Sequence, residues 1–369
     1  MARSPLTLAA LASSAVPDLT VTGTRRYSAD GAGEFDSAVL TASDGSACIV
    51  RVPLTQAAET EQSSDLVALR ALTTGIRSRL PFDVPSYLGQ TPVGGTRAIV
   101  YDFLPGDHVA VEDVPPGDGL AGSIGHAIAA IHTLPTSFVG EAGLPVLSAA
   151  ECLSSTAALI ESAASTGKLP AALRERWRDA VADHSIWQFQ PTVINGALTA
   201  DSFLVDGETV GAVLGWSALR VGDPARDLVW LLAMNPEATD GALLADASVR
   251  QVASDRQFTQ RAMLYAELDV ARWLLHGREL RDQSIVDDAV QMLDGLVDRV
   301  HSNAVTPLST ATGPIMAVDD VEALLDRTPG DRASVRPGGM RPVDDSPAGL
   351  PRVPSAAALT RRARCCPFR

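Results

Sequence analysis

The chain has 369 residues, 46% of them hydrophobic and 20% charged, with a formal net charge of −14 at pH 7. That apolar content supports a sizeable core and excludes global disorder. The negative balance argues against an electrostatic nucleic-acid binder and against binding to anionic membranes.

The first fifteen residues, M-A-R-S-P-L-T-L-A-A-L-A-S-S-A, read as a short helix capped by Ser4 with Pro5 in its first turn; the weakly apolar stretch after one arginine also has the outline of a signal peptide. Leu19–Tyr27, Glu34–Thr41 and Ala47–Pro53 carry β-branched residues and alternation, which predicts strands. They are broken by Gly31-Ala32-Gly33 and by a hairpin turn at Asp44-Gly45. A helix follows over about Gln56–Thr74, with Leu66, Leu69 and Leu72 on one side, and Arg97–Phe103 is another strand. Helical character then takes over. Asp118–His132 puts Leu120, Ile124, Ile128 and Ile131 on one stripe behind an Asp118 N-cap.

Further helices are predicted near 147–166, 170–183, 225–234, 240–252, 256–279 and 284–299. A β-like island at Val193–Trp216, turning at Asp206-Gly207, lies among them. The five tryptophans, Trp177, Trp187, Trp216, Trp230 and Trp273, are expected to anchor the core. Residues 301–369 hold 9 of the 24 prolines and 9 arginines against 7 acidic residues, the composition of a disordered tail, with one short helix expected around Ala317–Leu325. The domain reading is therefore α+β: a β-rich part over 1–103, a helical part over 104–300, and the tail over 301–369.

The four cysteines, Cys48, Cys152, Cys365 and Cys366, form no C-x-x-C pair and are not interleaved with histidine at zinc spacing, which reads as reduced thiols in a cytoplasmic protein. No apolar run approaches the roughly 18 residues of a membrane span. The tail is a candidate for an unknown protein partner.

Three linked segments stand out: N-G-A-L-T-A-D-S-F-L-V from Asn195, G-A-V-L-G-W over Gly211–Trp216, and V-G-D-P-A-R-D-L from Val221. Upstream stand V-R-V-P around Arg51, Y-D-F-L-P-G over Tyr101–Gly106 and I-x-x-I-H-x-L-P over Ile128–Pro135. This set resembles the aminoglycoside and macrolide phosphotransferases over residues 18–300. Their linked motifs are H-G-D-L-x-x-x-N-x-L, an apolar strand ending I-D-W, and G-D-P-x-x-D-L. The resemblance implies a protein-kinase-like, two-lobed fold, with a small antiparallel β lobe, a larger helical lobe and a nucleotide cleft between them. ATP is its expected ligand, and Arg51, Asp65, Asp102 and Phe103 are the candidate cleft residues.

In the family the Asp of H-G-D positions or deprotonates the acceptor hydroxyl, while the later Asn and the Asp of I-D-W hold Mg²⁺ on the phosphates. Those places here are Ala197, Ser202 and Gly215, and the His of H-G-D is Asn195. A methyl group accepts no proton, and serine and glycine are poor magnesium ligands, so Mg²⁺ is not expected to be held in the family manner. Asp201 and Asp206 are the nearby acids, read either as substitutes for the missing groups or, preferably, as solvated turn residues. Asp223 reads as an N-cap before Pro224, with Asp227 in the first turn and His132 ordering the helical part. Arg51 is expected on phosphate, or else as a solvated strand residue or in an ion pair with Asp65. Glu267 and Asp269 offer either a family-like site for a cationic drug or, preferably, a solvated helix face. Three functions stay open: a pseudokinase that binds a nucleotide or small molecule, a divergent active phosphotransferase on a small-molecule hydroxyl, and a non-catalytic interaction domain.

Overall fold

In the computed structural model the described residues are 3–27, 34–117, 119–250, 256–302 and 308. The expectations for Gly31–Gly33, the Asp118 cap, Cys365 and Cys366, and the 317–325 helix lie outside them. The chain opens with α1 (Pro5–Ala15), capped by the Ser4 side chain, which accepts from the Thr7 amide. It continues through β1 (Val21–Arg26), β2 (Phe35–Ala42), β3 (Ala47–Pro53), α2 (Gln56–Ala71), α3 (Thr74–Arg77), β4 (Tyr87–Val93) and β5 (Thr96–Asp102). These strands make one antiparallel sheet in the order β1-β2-β3-β5-β4.

Side-chain alternation decides how this sheet is covered. Cys48, Val50 and Val52 of β3, with Leu40, Ala98 and Val100, face α1 and bury Leu8 and Ala12. Ile99 and Tyr101 share the main cluster with Leu66, Leu69 and Leu72 of α2. A helix thus covers each face. The first helix is an integral wall of the small lobe, since each buried leucine-sized side chain contributes about 1.5–3 kcal/mol. The β2–β3 connection turns at Asp44-Gly45 with Gly45 at φ +85°, where glycine carries no steric penalty.

Beyond Asp102 come β6 (Asp107–His108), α4 (Leu120–His132), α5 (Ser137–Glu141), α6 (Ala149–Ser165), α7 (Ala171–Ala182), β7 (Thr192–Ile194), β8 (Phe203–Asp206), β9 (Thr209–Val213), β10 (Arg220–Gly222), α8 (Pro236–Arg250), α9 (Arg256–Leu280) and α10 (Gln283–His301). The expected stripe of α4 is buried at Leu120, Ile124, Ile128 and Ile131. This helix lies so close to α8 that a Cβ on Gly125 would stand 2.1 Å from the Ala242 carbonyl oxygen, which makes glycine obligatory there. The β island resolves into the β8–β9 hairpin, extended by β6, and a β7–β10 pair. The 225–234 expectation is corrected in type, because Pro224–Ala233 is a 3₁₀ helix. Four tryptophans are buried, but Trp273 is 37% exposed. Its ring N–H donates to Asp288 at 2.8 Å and its face stacks on His276, so it is a surface anchor and not a core one.

Candidate functional site

The segment after β7 is gripped from beneath by one carboxylate. The backbone amides of Asn195 and Gly196 donate to Asp227 Oδ2 and Oδ1 at 2.8 and 2.6 Å. Asp227 is fully buried, at the first turn of the 3₁₀ helix. Its Oδ2 also lies 3.3 Å from His132 Nε2, and His132 Nδ1 lies 3.5 Å from Asp246 Oδ1 on α8. At that length the second contact is an ion pair without a formed hydrogen bond. Asp246 in turn pairs with Arg250 at 3.2 Å. Burial pulls the imidazole pKa down, but the Asp227 hydrogen bond and the close carboxylates of Asp227 and Asp246 outweigh it and hold His132 above its ordinary value. Sequence reading named His132 and Asp227; Asp246, 114 positions from His132 in the chain, carried no sequence signal.

Asn195 is itself fully buried and ties two loops together. Its Nδ2 donates to the Gly215 carbonyl at 2.9 Å, and its Oδ1 accepts from the Ala197 amide at 3.2 Å. Gly196 stands at φ +86°, and a Cβ there would meet the Ala218 carbonyl at 2.6 Å. None of the three positions singled out by the motif resemblance, Ala197, Ser202 and Gly215, carries an ionisable side chain. Ala197 is exposed. Ser202 is buried, with its hydroxyl accepting from the Thr199 amide at 3.1 Å and lying 3.4 Å from the Thr199 hydroxyl. Gly215 stands at φ +70°, with open space where a Cβ would project. Asp201 and Asp206 are both exposed.

Arg51 and Asp65 are not brought into an ion pair. The Arg51 guanidinium lies 4.0 Å over the Phe35 ring, a cation–π contact within β2–β3. Asp65 on α2 reaches across to the loop after Gly215, where its Oδ1 accepts from the Trp216 amide at 2.7 Å. Burial pushes the Asp65 carboxyl up; the Trp216 bond and the Arg51 charge pull it partly back. Asp102 is turned to the backbone and accepts from the Ser86 amide at 2.6 Å.

Phe103 takes the edge of Tyr27 at 6.4 Å and the Arg25 guanidinium at 5.5 Å. The Tyr27 hydroxyl is 3.0 Å from His108 Nε2, and His108 Nδ1 is 3.2 Å from the Asp201 carbonyl. Because a carbonyl only accepts, Nδ1 carries the proton and Nε2 accepts from the tyrosine. This bridge from β1 to the segment after β7 was not foreseen; its residues lie 81 and 93 positions apart, with no shared motif.

Asp223 caps the 3₁₀ helix through the Ala225 amide at 3.0 Å. It also takes Arg261 Nε at 2.8 Å and the Tyr265 hydroxyl at 2.9 Å. Burial raises its carboxyl despite the Arg261 charge. The solvated-face expectation for Glu267 is overturned. Glu267 is 5% exposed and takes Arg176 Nη2 at 2.8 Å and Trp177 Nε1 at 2.7 Å. Asp269 is shared by Arg226 at 2.9 Å and Arg272 at 2.5 Å.

The model of the phosphotransferase enzyme family matches residues 30–262, more than half of the chain and all of the frame just described. The chain belongs to this phosphotransferase family. No curated protein matches it by sequence. Among solved structures it is similar to the apoenzyme of the macrolide 2′-phosphotransferase MphH from Brachybacterium faecium, at 22% identity and a TM-score of 0.66, covering 79% of this chain and 98% of that one. The GDP complex of aminoglycoside 2′-phosphotransferase-IIIa is similar at 17% identity and a TM-score of 0.65, covering 81% and 100%. These likenesses give this family member the kinase-like fold, with its small antiparallel lobe and helical lobe. The matched span leaves out α1 and α10. Among the described residues no helix is long and apolar enough to cross a membrane.

Proposed function

We propose that this phosphotransferase-family chain is a pseudokinase: its cleft binds a nucleotide or small molecule and transfers phosphate poorly or not at all. One observation carries the reading, namely the side chains at Ala197, Ser202 and Gly215. Loss of a general base costs about 10²- to 10⁴-fold in rate, and loss of metal stabilisation adds several kcal/mol. The donor set does not fit Mg²⁺: one candidate ligand is a hydroxyl engaged by Thr199, and the other position has no side chain. Exposed Asp201 lies in the short 3₁₀ segment Ala200–Ser202, exposed Asp206 ends β8, and Asp65 Oδ1 is engaged by the Trp216 amide. In this reading Arg51, Asp65, Asp102 and Phe103 border the nucleotide. The GDP found on relatives makes a guanine nucleotide a candidate beside ATP.

A second reading, a non-catalytic interaction domain, is favoured by the contacts of Tyr27 with Phe103 and His108, which tie the chain after β1 to that after β5 and, through His108, to the Asp201 carbonyl. Thermal shift of the full chain with ATP, ADP, GTP and GDP, each with and without Mg²⁺, separates the two readings. The pseudokinase reading expects stabilisation by a nucleotide that does not need Mg²⁺, together with no phosphate transfer above background. No response to any nucleotide favours the interaction domain. Mg²⁺-dependent stabilisation accompanied by turnover that disappears in Asp201→Asn sinks both. The triple variant Ala197→Asp, Ser202→Asn, Gly215→Asp is expected to gain ATP hydrolysis over the native chain.

A further inference from the structure

The family's cationic ligands would call for acidic side chains around the acceptor position, yet Glu267, Asp223, Asp227 and Asp269 are all engaged within the protein. Glu267 is held by Arg176 and Trp177, Asp223 by Arg261 and Tyr265, and Asp227 by two backbone amides and His132. Asp269 is shared by two guanidiniums, those of Arg226 and Arg272. A third, Arg220 on β10, lies against the loop itself: its Cζ and Nη2 would stand 3.2 Å from a Cβ placed on Gly196, one residue before Ala197.

Arg220 is half-buried, and its sole hydrogen bond among the described residues is a long one, 3.5 Å from Nη2 to the Gly196 carbonyl. It has no carboxylate partner there, although a guanidinium carries five N–H donors in a fork matched to oxyanions. Its free donors are not sealed in the core. The charges facing it are Arg226 and, in the opposite sense, Asp227; the neighbouring Cys152 thiol is pushed up to about 11 and stays neutral. Burial and then the Arg226 charge lower the pKa of both Arg220 and Arg272; Asp269 pulls Arg272 partly back, and Asp227 does the same for Arg220 from a distance without bonding to it.

We propose that Arg220, backed by Arg226 and Arg272, is an oxyanion-binding site beside Ala197, and that the ligand of this cleft carries a phosphate or carboxylate group there. The inference rests on the cleft being a ligand site and adds the ligand's charge. An incoming anion supplies the partner that Arg220 lacks and offsets the Arg226 charge that faces it. This is the opposite charge from the cationic drug that an acidic Glu267/Asp269 patch would take.

The test titrates the full chain with inorganic phosphate and, separately, with citrate at low chloride near neutral pH, read by calorimetry. Saturable binding of at least one anion is expected, weakened about tenfold or more in Arg220→Gln and to a smaller degree in Arg272→Gln. Arg272 is 43% exposed, so its variant keeps the test decisive if Arg220→Gln does not fold. Phosphate preferred over citrate points to a phosphorylated ligand, and the reverse to a carboxylate. Absence of saturable binding by either anion, or affinities unchanged in both variants, overturns the site. Nucleotide thermal shifts on the same proteins keep the two claims apart. Arg220-dependent anion binding without any nucleotide response sinks only the nucleotide reading. A nucleotide response with Arg220-independent anion binding sinks only the oxyanion site.

Discussion

Two neighbouring sets of residues between Asn195 and Asp227 use their polar groups in opposite ways. In the frame, Asn195, Asp227 and His132 are buried and tied to backbone amides, a backbone carbonyl and one another. At the positions that the motif resemblance aligns with the family's chemistry, here called the chemical positions, Ala197 and Gly215 are exposed and carry nothing ionisable, and the Ser202 hydroxyl is turned back on Thr199. The frame is therefore maintained by folding energetics alone, since its buried polar groups must be satisfied whether or not phosphate is ever transferred. Nothing in folding asks for a carboxylate at the exposed positions.

The largest expected effect comes from breaking the frame. Asp227→Ala leaves two buried amides without acceptors and a buried His132 with Asp246 as its remaining partner. Removing one member of a buried charged pair costs about 3–5 kcal/mol. Urea unfolding of the full chain reads this directly, and a loss below about 1 kcal/mol would mean that the frame does not hold the loop as described.

Much of the frame and fold was legible because its signals are local. Asp44-Gly45 marks a hairpin by turn chemistry, and the Leu120, Ile124, Ile128, Ile131 spacing marks α4 by helical period. The family match rests on three motifs within 34 residues. By contrast β4 has no counterpart in the sequence reading, and Gly89 and Pro92 interrupt its strand pattern. It is an edge strand, where proline is tolerated, and a Cβ on Gly89 would stand 2.2 Å from the Ala15 carbonyl of α1. The site contacts that went unseen are those made across long stretches of chain: Asp65 to the Trp216 amide spans 151 residues, and Tyr27 to His108 spans 81. Such pairs follow from how the lobes close, and no periodicity or turn signal in either segment encodes them.

A smaller effect should follow the charge on His132. Its folded-state pKa lies above the ordinary value of 6.5, so its stabilisation is fully present below 6.5 and is lost as pH rises through the folded value. A tenfold tighter hold on the proton in the folded chain corresponds to about 1.4 kcal/mol. The wild-type urea midpoint should therefore fall, relative to that of His132→Gln, as pH increases above 6.5. Parallel pH profiles for the two proteins would mean that the imidazole sits neutral between Asp227 and Asp246.

The smallest effects belong to the chemical positions. Gly215→Asp meets open space but must hold φ +70°, which an aspartate adopts at a cost of about 1 kcal/mol. Ala197→Asp adds a carboxylate to an exposed side chain and should stay within about 0.5 kcal/mol of the native chain. If instead Ala197→Asp destabilised the protein as much as Asp227→Ala, the methyl group would be part of the packing. The absence of a base at that position would then be a requirement of the fold. A near-neutral result has the opposite meaning: the frame accepts a base at position 197, and the alanine found there reflects what the cleft is used for.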